Sequence, residues 1–221
     1  MILFLLILLA VNCKRKSDSD INEGKIKFSI TYAQSKVGGY STSVLPKEMV
    51  MEFSENMVKN SIEGGLGFFS LVHVSDLRHD QHTTWLKFID KKYIYTGERR
   101  ETPCCFGMLE GMELEFTDST KQIAGLNSIK VVANFPDNTM TPFDIWYTEE
   151  LGLNNPNGNT PFHDIPGVLL EFNTFMGNAN MHMIATEFNI QSIPQKQFQS
   201  PKNFRPVTKT EMETILTALM N

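Results

Sequence analysis

The chain has 221 residues, with 20 Lys and Arg against 25 Asp and Glu and a formal net charge of −5. That balance leaves no basic excess for a nucleic-acid footprint, so no nucleic-acid partner is expected. Without its apolar start the chain is still about 200 residues long, enough for one domain with a sizeable core.

The start reads "MILFLLILLAVNCKRKSDSD". Residues 1–11 are apolar throughout but fall short of the about 20 residues that span a bilayer. A short apolar core with a polar boundary reads as a secretory signal. The boundary residue is Cys13, as in a bacterial lipoprotein signal, where the cysteine is acylated and becomes the first mature residue. Ala10-Val11-Asn12 matches such a signal loosely, and no Lys or Arg precedes the apolar core. Cleaved secretion and a buried N-terminal element are the alternatives, and the abrupt switch to Lys14-Arg15-Lys16 argues against the second. The expected layout is a signal over residues 1–12, a lipidated tether over 13–23 and one β domain over 24–221.

Strand signals dominate from Gly24 onward. "KIKFSITY" alternates Ile26, Phe28, Ile30 and Tyr32 with polar neighbours, the mark of a half-buried strand. "EMVMEFSENMVKNSI" predicts a hairpin turning near Ser54-Glu55-Asn56. In "GLGFFSLVHV", Phe69, Leu71 and His73 fall on one side and Phe68 and Val72 on the other. "SDLRHDQH" reads as a polar loop. "TTWLKFID" and "KYIYTG" form a further hairpin, turning at Asp90-Lys91-Lys92. "MELEFTD", "NSIKVVANF", "PFDIWYT", "GVLLEFNTF" and "ANMHMIATEFNI" continue the meander to about ten strands. Strands linked by short turns at this spacing imply a large antiparallel sheet, curved or partly closed. The fold class is therefore mainly β (α+β).

The C-terminal "TKTEMETILTALMN" predicts a helix. Thr208 and Glu211 have the spacing of a capping box, and Met212, Ile215, Leu216 and Leu219 make an apolar stripe. A second helix is expected within "GMLEGMELE".

Chemistry-bearing patterns are sparse. There is no G-x-S-x-G, H-E-x-x-H, P-loop or dinucleotide fingerprint, so neither an enzyme nor a cofactor is expected. "HVSDLRHDQH" gathers His73, His79 and His82 with Asp76 and Asp80, but the spacing suits no single helix face. A solvated loop is preferred to a metal site there. Met181 and Met183 share a strand face, and Met alternating with Ile and Phe reads as core before copper site. His163-Asp164 has acid–base composition, but neighbours in an extended loop point apart. The adjacent Cys104 and Cys105 in "TPCCFG" read as loop thiols, with a strained disulfide or a metal site as alternatives. What stands out is the apolar excess: 16 Phe, 12 Met and 2 Trp. These suit either a filled core or an adaptable apolar cavity.

"TKQIAGLNSIKVV", "FDIWYTEELG", "DIPGVLLEF" and "MIATEFNIQSIPQKQFQSPKNF" occur in the order of the motifs of GLPGLI-type envelope proteins of Gram-negative bacteria, which this chain resembles from about Gly24 to Phe204. Leu126 and Ser128 stand where that pattern has Tyr and Cys, and Ile165 replaces the Leu of the naming turn. Such domains are similar to LolA-like lipoprotein carriers. The resemblance implies an unclosed antiparallel half-barrel whose concave face is lidded by helices over an apolar cavity. It also implies a location in the cell envelope, at the periplasm or outer membrane. Pro166-Gly167 then reads as a scaffold joint that re-aims the chain after an exposed loop.

Two readings follow, with an enzyme or metal protein as a third that convergent polar side chains of perturbed pKa inside an apolar void would revive. One is a membrane-anchored lipoprotein that binds a lipid or other apolar molecule. The expected lining is Phe69, Leu71, Trp85, Trp146, Leu170 and Phe172 on the strands, with Met212 and Leu216 on the helix. The other is a non-enzymatic interaction or structural module of the same fold with a filled core. An apolar void of several hundred Å3 would separate them in favour of binding.

Overall fold

The computed structural model describes residues 21–98, 101, 103–104, 106–137 and 140–220. The expected signal, the Cys13 anchor, most of the tether and Cys105 lie outside the described residues. No helix among the described residues is long and apolar enough to cross a membrane.

The first half of the chain forms β1 (Glu23–Tyr32), the small pair β2 (Lys36–Val37) and β3 (Tyr40–Ser41), then β4 (Glu48–Ser54), β5 (Met57–Gly64), β6 (Phe69–Asp76), β7 (Gln81–Phe88) and β8 (Lys91–Gly97). The second half adds β9 (Glu113–Ile123), β10 (Leu126–Asn134), β11 (Phe143–Thr148), β12 (Val168–Met176), β13 (Ala179–Asn189), the short β14 (Arg205–Pro206) and α1 (Lys209–Met220). Twelve of these strands make one sheet in the order β14-β8-β7-β6-β5-β4-β1-β13-β12-β11-β10-β9. Every pairing in it is antiparallel except that of β14 with β8.

The sheet curls. Leu71 on β6 and Phe172 on β12 line one cavity, yet five strand spacings separate them, about 24 Å if the sheet were flat. Its outermost strands, β14 and β9, do not meet. The result is an unclosed half-barrel, mainly β, with one C-terminal helix. β9 is an edge protected by charge, with Glu113, Glu115, Asp118 and Lys121 along it.

The main core fills the concave side. Alternate residues Ile26, Phe28 and Ile30 of β1 are buried with Met49, Met51 and Phe53 of β4 and Met181, Met183 and Ala185 of β13. The period of two puts these residues on one side of each strand, and the register of β1 with β4 and β13 aligns the three sets on the concave side. His182, between the two methionines, points to the other side, where its Nδ1 lies 2.8 Å from Asn173 Oδ1.

The tail clamps both faces of the β6–β8 half. Glu23 Oε1 accepts from the Ile193 N–H at 2.6 Å and starts the tail across the outer face. There Ile193 and Phe198 bury Val72, Val74 and Trp85. β14 then adds to the edge at β8, and α1 returns on the inner face. The capping box forms as the spacing predicts: the Thr208 N–H donates to Glu211 Oε2 at 2.9 Å and the Glu211 N–H to Thr208 Oγ1 at 3.2 Å. Met212 and Leu216 are buried against Leu86, Tyr95 and Cys104, with Ile215 and Leu219 packed beside them.

Two expectations about local structure need correction. "GMLEGMELE" is no α-helix: a single 3-10 turn, Gly107–Leu109, precedes β9. Gly111 at φ +78 breaks the turn, and the alternation from Glu113 to Phe116 has strand period. "SDLRHDQH" is not loop throughout either. Ser75 and Asp76 end β6, Gln81 and His82 begin β7, and only four residues turn between them.

Candidate functional site

A cavity of about 160 Å3 lies on the concave face. Its floor is built by strands: Phe28, Met49, Met51, Ile62, Phe172 and Met183 sit at the buried phase of their strands, and half-buried Leu71 joins them from β6. Its roof is the segment between β11 and β12, through Pro156, Asn157, Thr160 and Phe162, with Phe106 beside it. Phe172 sits between Phe28 and Phe162 in edge-on ring contacts at 6.0 and 5.8 Å, so floor and roof are joined by aromatic packing.

The roof is the largest departure from the sequence reading, which took residues 149–167 as an exposed loop and the helix as the lid. Leu151, Leu153, Phe162 and Ile165 are instead buried in the main core. Asn157, 7% exposed, holds the segment down: its Nδ2 donates to the carbonyls of Ile165 and Gly167 at 2.9 and 2.8 Å. Pro166-Gly167 is the scaffold joint expected. A Cβ on Gly167 would stand 2.1 Å from the Thr148 carbonyl oxygen, so only glycine lets the chain pass that close to β11. The signal for the roof is the set of apolar residues spaced through an Asn-rich loop.

The lining also carries polar side chains, with Asn60, His73 and Ser75 clustered on the neighbouring strands β5 and β6 and Thr174 apart from them on β12. His73 Nδ1 lies 3.1 Å from Thr84 Oγ1 and its Nε2 3.2 Å from Ser75 Oγ, so both ring nitrogens are occupied. Behind it stands His82, 1% exposed, with its ring centroid 5.5 Å from that of His73 and 5.7 Å from that of Tyr95. Neither ring nitrogen of His82 has a hydrogen-bond partner among the described residues. Burial, and then the charge of His82, push His73 down to about 3. Burial also pushes His82 down. Both imidazoles are neutral at physiological pH, so this cluster offers hydrogen bonds rather than charge. The solvated loop expected for His82 is thus overturned: it faces Ser75 and Gly97 across the ladder.

The other titratable motifs face solvent. His79 Nδ1 pairs with Asp76 Oδ2 at 2.7 Å in the turn. His163 and Asp164 do not point apart as expected, because Nε2 and Oδ1 come within 3.5 Å, but both side chains are exposed. Among the described residues no group of three His, Cys, Asp or Glu side chains is placed to hold a metal.

The eight residues expected to line one site are divided by the sheet. Leu71 and Phe172 line the cavity. Phe69 is half-buried where the main core meets the helix cluster. Leu170 is fully buried within the main core. Met212 and Leu216 cover Leu86 and Tyr95 instead of the cavity. The two tryptophans are on the opposite face, and a common inward face for them is ruled out. Leu71 pairs with Leu86 while Val72 pairs with Trp85, so the period of two turns Trp85 outward. Trp146 pairs with Glu171 before a bulge, and Lys121 Nζ lies 4.1 Å over its ring.

No family model and no curated protein sequence matches this chain. Solved structures do. PNGF-II superposes in two crystal forms with TM-scores of 0.56 and 0.53 at 14% identity, over 88% of this chain. The chain spans about a third of the PNGF-II chain, at 33% and 32%. MucB in complex with MucA(peri) matches at a TM-score of 0.35 and 11% identity, over 86% of this chain and 58% of MucB. At 14% identity the likeness to PNGF-II is one of fold.

Proposed function

We propose that the half-barrel carries a small or slender apolar molecule with one hydrogen-bonding end. The observation behind this reading is the cavity itself, apolar along most of its strands, with neutral His73, Ser75 and Asn60 clustered on β5 and β6. At about 160 Å3 it falls below the ~300–1,000 Å3 of drug-sized pockets. It is close to the ~150 Å3 at which an apolar protein cavity stays dry and accepts a molecule the size of benzene. At that volume the cavity does not house a whole lipid. A longer chain would need the roof at Pro156–Phe162 to lift.

The reading also takes the chain as a GLPGLI-type envelope protein, on the motif order given above, anchored through acylated Cys13 and without enzymatic activity. Labelling with a fatty-acid analogue tags the wild type and fails on Cys13→Ser. Labelling that survives that substitution removes the anchor from the proposal.

Native mass spectrometry of purified protein tests the cavity, together with displacement of a small apolar fluorophore. Wild-type protein takes up the probe, and Leu71→Trp, which fills the floor, excludes it without loss of fold. The modest volume is the one observation favouring a filled-core interaction module of the same fold. Absence of any bound molecule, with equal probe response in wild type and Leu71→Trp, decides for that module.

A further inference from the structure

We infer that one end of the half-barrel is a docking tip for an anionic lipid surface, an inference independent of any guest in the cavity. The turns β5–β6 and β7–β8 lie side by side, joined by a hydrogen bond from the Ile89 N–H to the Phe68 carbonyl at 2.6 Å. Both present large apolar side chains to solvent: Phe68 is 57% and Ile89 55% exposed. Val44, 67% exposed, projects from the loop before β4, where Pro46 packs against Gly64 next to the same turns.

The β7–β8 hairpin breaks two local rules at once. Ile89, first residue of its two-residue turn, has φ +56. Six non-glycine residues among those described have positive φ, and Ile89 alone is β-branched, the type least tolerant of that region. Glycine, Asn or Asp is the residue such turns favour. Lys87 and Lys92 also stand directly opposite each other, a destabilising like-charge pair. Neither they nor Lys91 makes an ion pair among the described residues.

A turn that keeps a strained, exposed Ile and unrelieved facing lysines, where a small polar residue would be more stable, is arranged for something other than stability. Apolar side chains at loop tips flanked by lysines match the layered chemistry of a membrane surface, with acyl chains below and phosphate above. Asp90 is the one carboxylate among the lysines of residues 87–92, in a chain whose net charge is −5. Glu63, in line with Lys87 across Ser70, is a further carboxylate at this end, and the β7–β8 hairpin itself keeps three lysines against one carboxylate. β1 begins at the opposite end of the sheet, since Glu23 pairs with Ser54 and Met57 with Asp76, whereas Gly64 pairs with Phe69 and Phe88 with Lys91.

The full chain carrying Phe68→Trp tests this with a readout that an N-terminal anchor does not move. Brominated phosphatidylglycerol vesicles should quench the added tryptophan, measured against the parent background of Trp85 and Trp146, and neutral phosphatidylcholine vesicles should not. Reversing Lys91 and Lys92 to Glu should weaken partitioning of the tip by at least about fivefold per residue. Ile89→Asn should reduce quenching while leaving the unfolding midpoint equal or higher, because it relieves the turn. An unquenched Trp at position 68 on vesicle-bound protein overturns the proposal, as does full quenching in Ile89→Asn.

Discussion

Gly97 lies flat against the ring of His82: a Cβ on Gly97 would stand 2.0 Å from its Nε2. The two residues are paired across β7 and β8, so the glycine makes room for a buried imidazole behind the cavity's polar cluster. Replacing a strand glycine usually costs little or helps. Here Gly97→Ala should destabilise, and the cost should shrink in a His82→Ala background. A double-mutant cycle by urea unfolding measures this, and additive effects would mean the ring can step aside.

The neutral histidines give the fold an acid-labile side. His73 titrates at about 3 in the folded state against 6.5 unfolded, and His82 is shifted the same way. Between those values the unfolded chain binds more protons, so stability falls as pH drops from about 6.5 toward 3. The carboxylates of Glu187 and Glu211, held low by Lys27 and by the Thr208 N–H, lose their contribution only as pH falls below the usual carboxylate range. The window from pH 6.5 to 5 therefore isolates the imidazoles. His73→Gln should flatten the stability profile there, measured as the unfolding midpoint at closely spaced pH values.

Leu216 is 1% exposed and sits among Leu86, Tyr95, Cys104 and Met212. Truncation to Ala should cost about 2–5 kcal/mol, the range for a buried leucine. Since the helix covers a neighbouring part of the concave face and not the cavity, probe uptake in the folded fraction should be unchanged. Stability equal to wild type would detach the helix from the sheet.

Asn157 should govern the roof. Asn157→Ala strips partners from the carbonyls of Ile165 and Gly167, each left buried at a cost of about 1–3 kcal/mol. Hydrogen exchange should speed up through residues 155–167 and leave β1, β4 and β13 protected. Gly167→Ala should be harsher than Gly97→Ala, because its Cβ meets the Thr148 backbone and no side chain can yield.

The strand pattern and the capped helix were legible in the residues alone. Alternation along Ile26, Phe28 and Ile30, the turn at Glu55-Asn56 and the Thr208–Glu211 box are local signals, and each appears in the structure, whereas the turn expected at Asp90-Lys91-Lys92 falls at Ile89-Asp90, with both lysines paired in β8. The Pro166-Gly167 joint was marked in the same way. Which face each strand turns inward came from the assembled sheet, since period two leaves the choice to cross-strand register. That register separates Leu71 from Trp85 and Phe172 from Trp146, although all four look alike as large apolar strand residues. It likewise buries His82, which sequence placed in a polar turn, while Asn157 pins residues 149–167 over the cavity. Burial of a polar side chain depends on partners brought from elsewhere in the chain, and no local pattern carries that information.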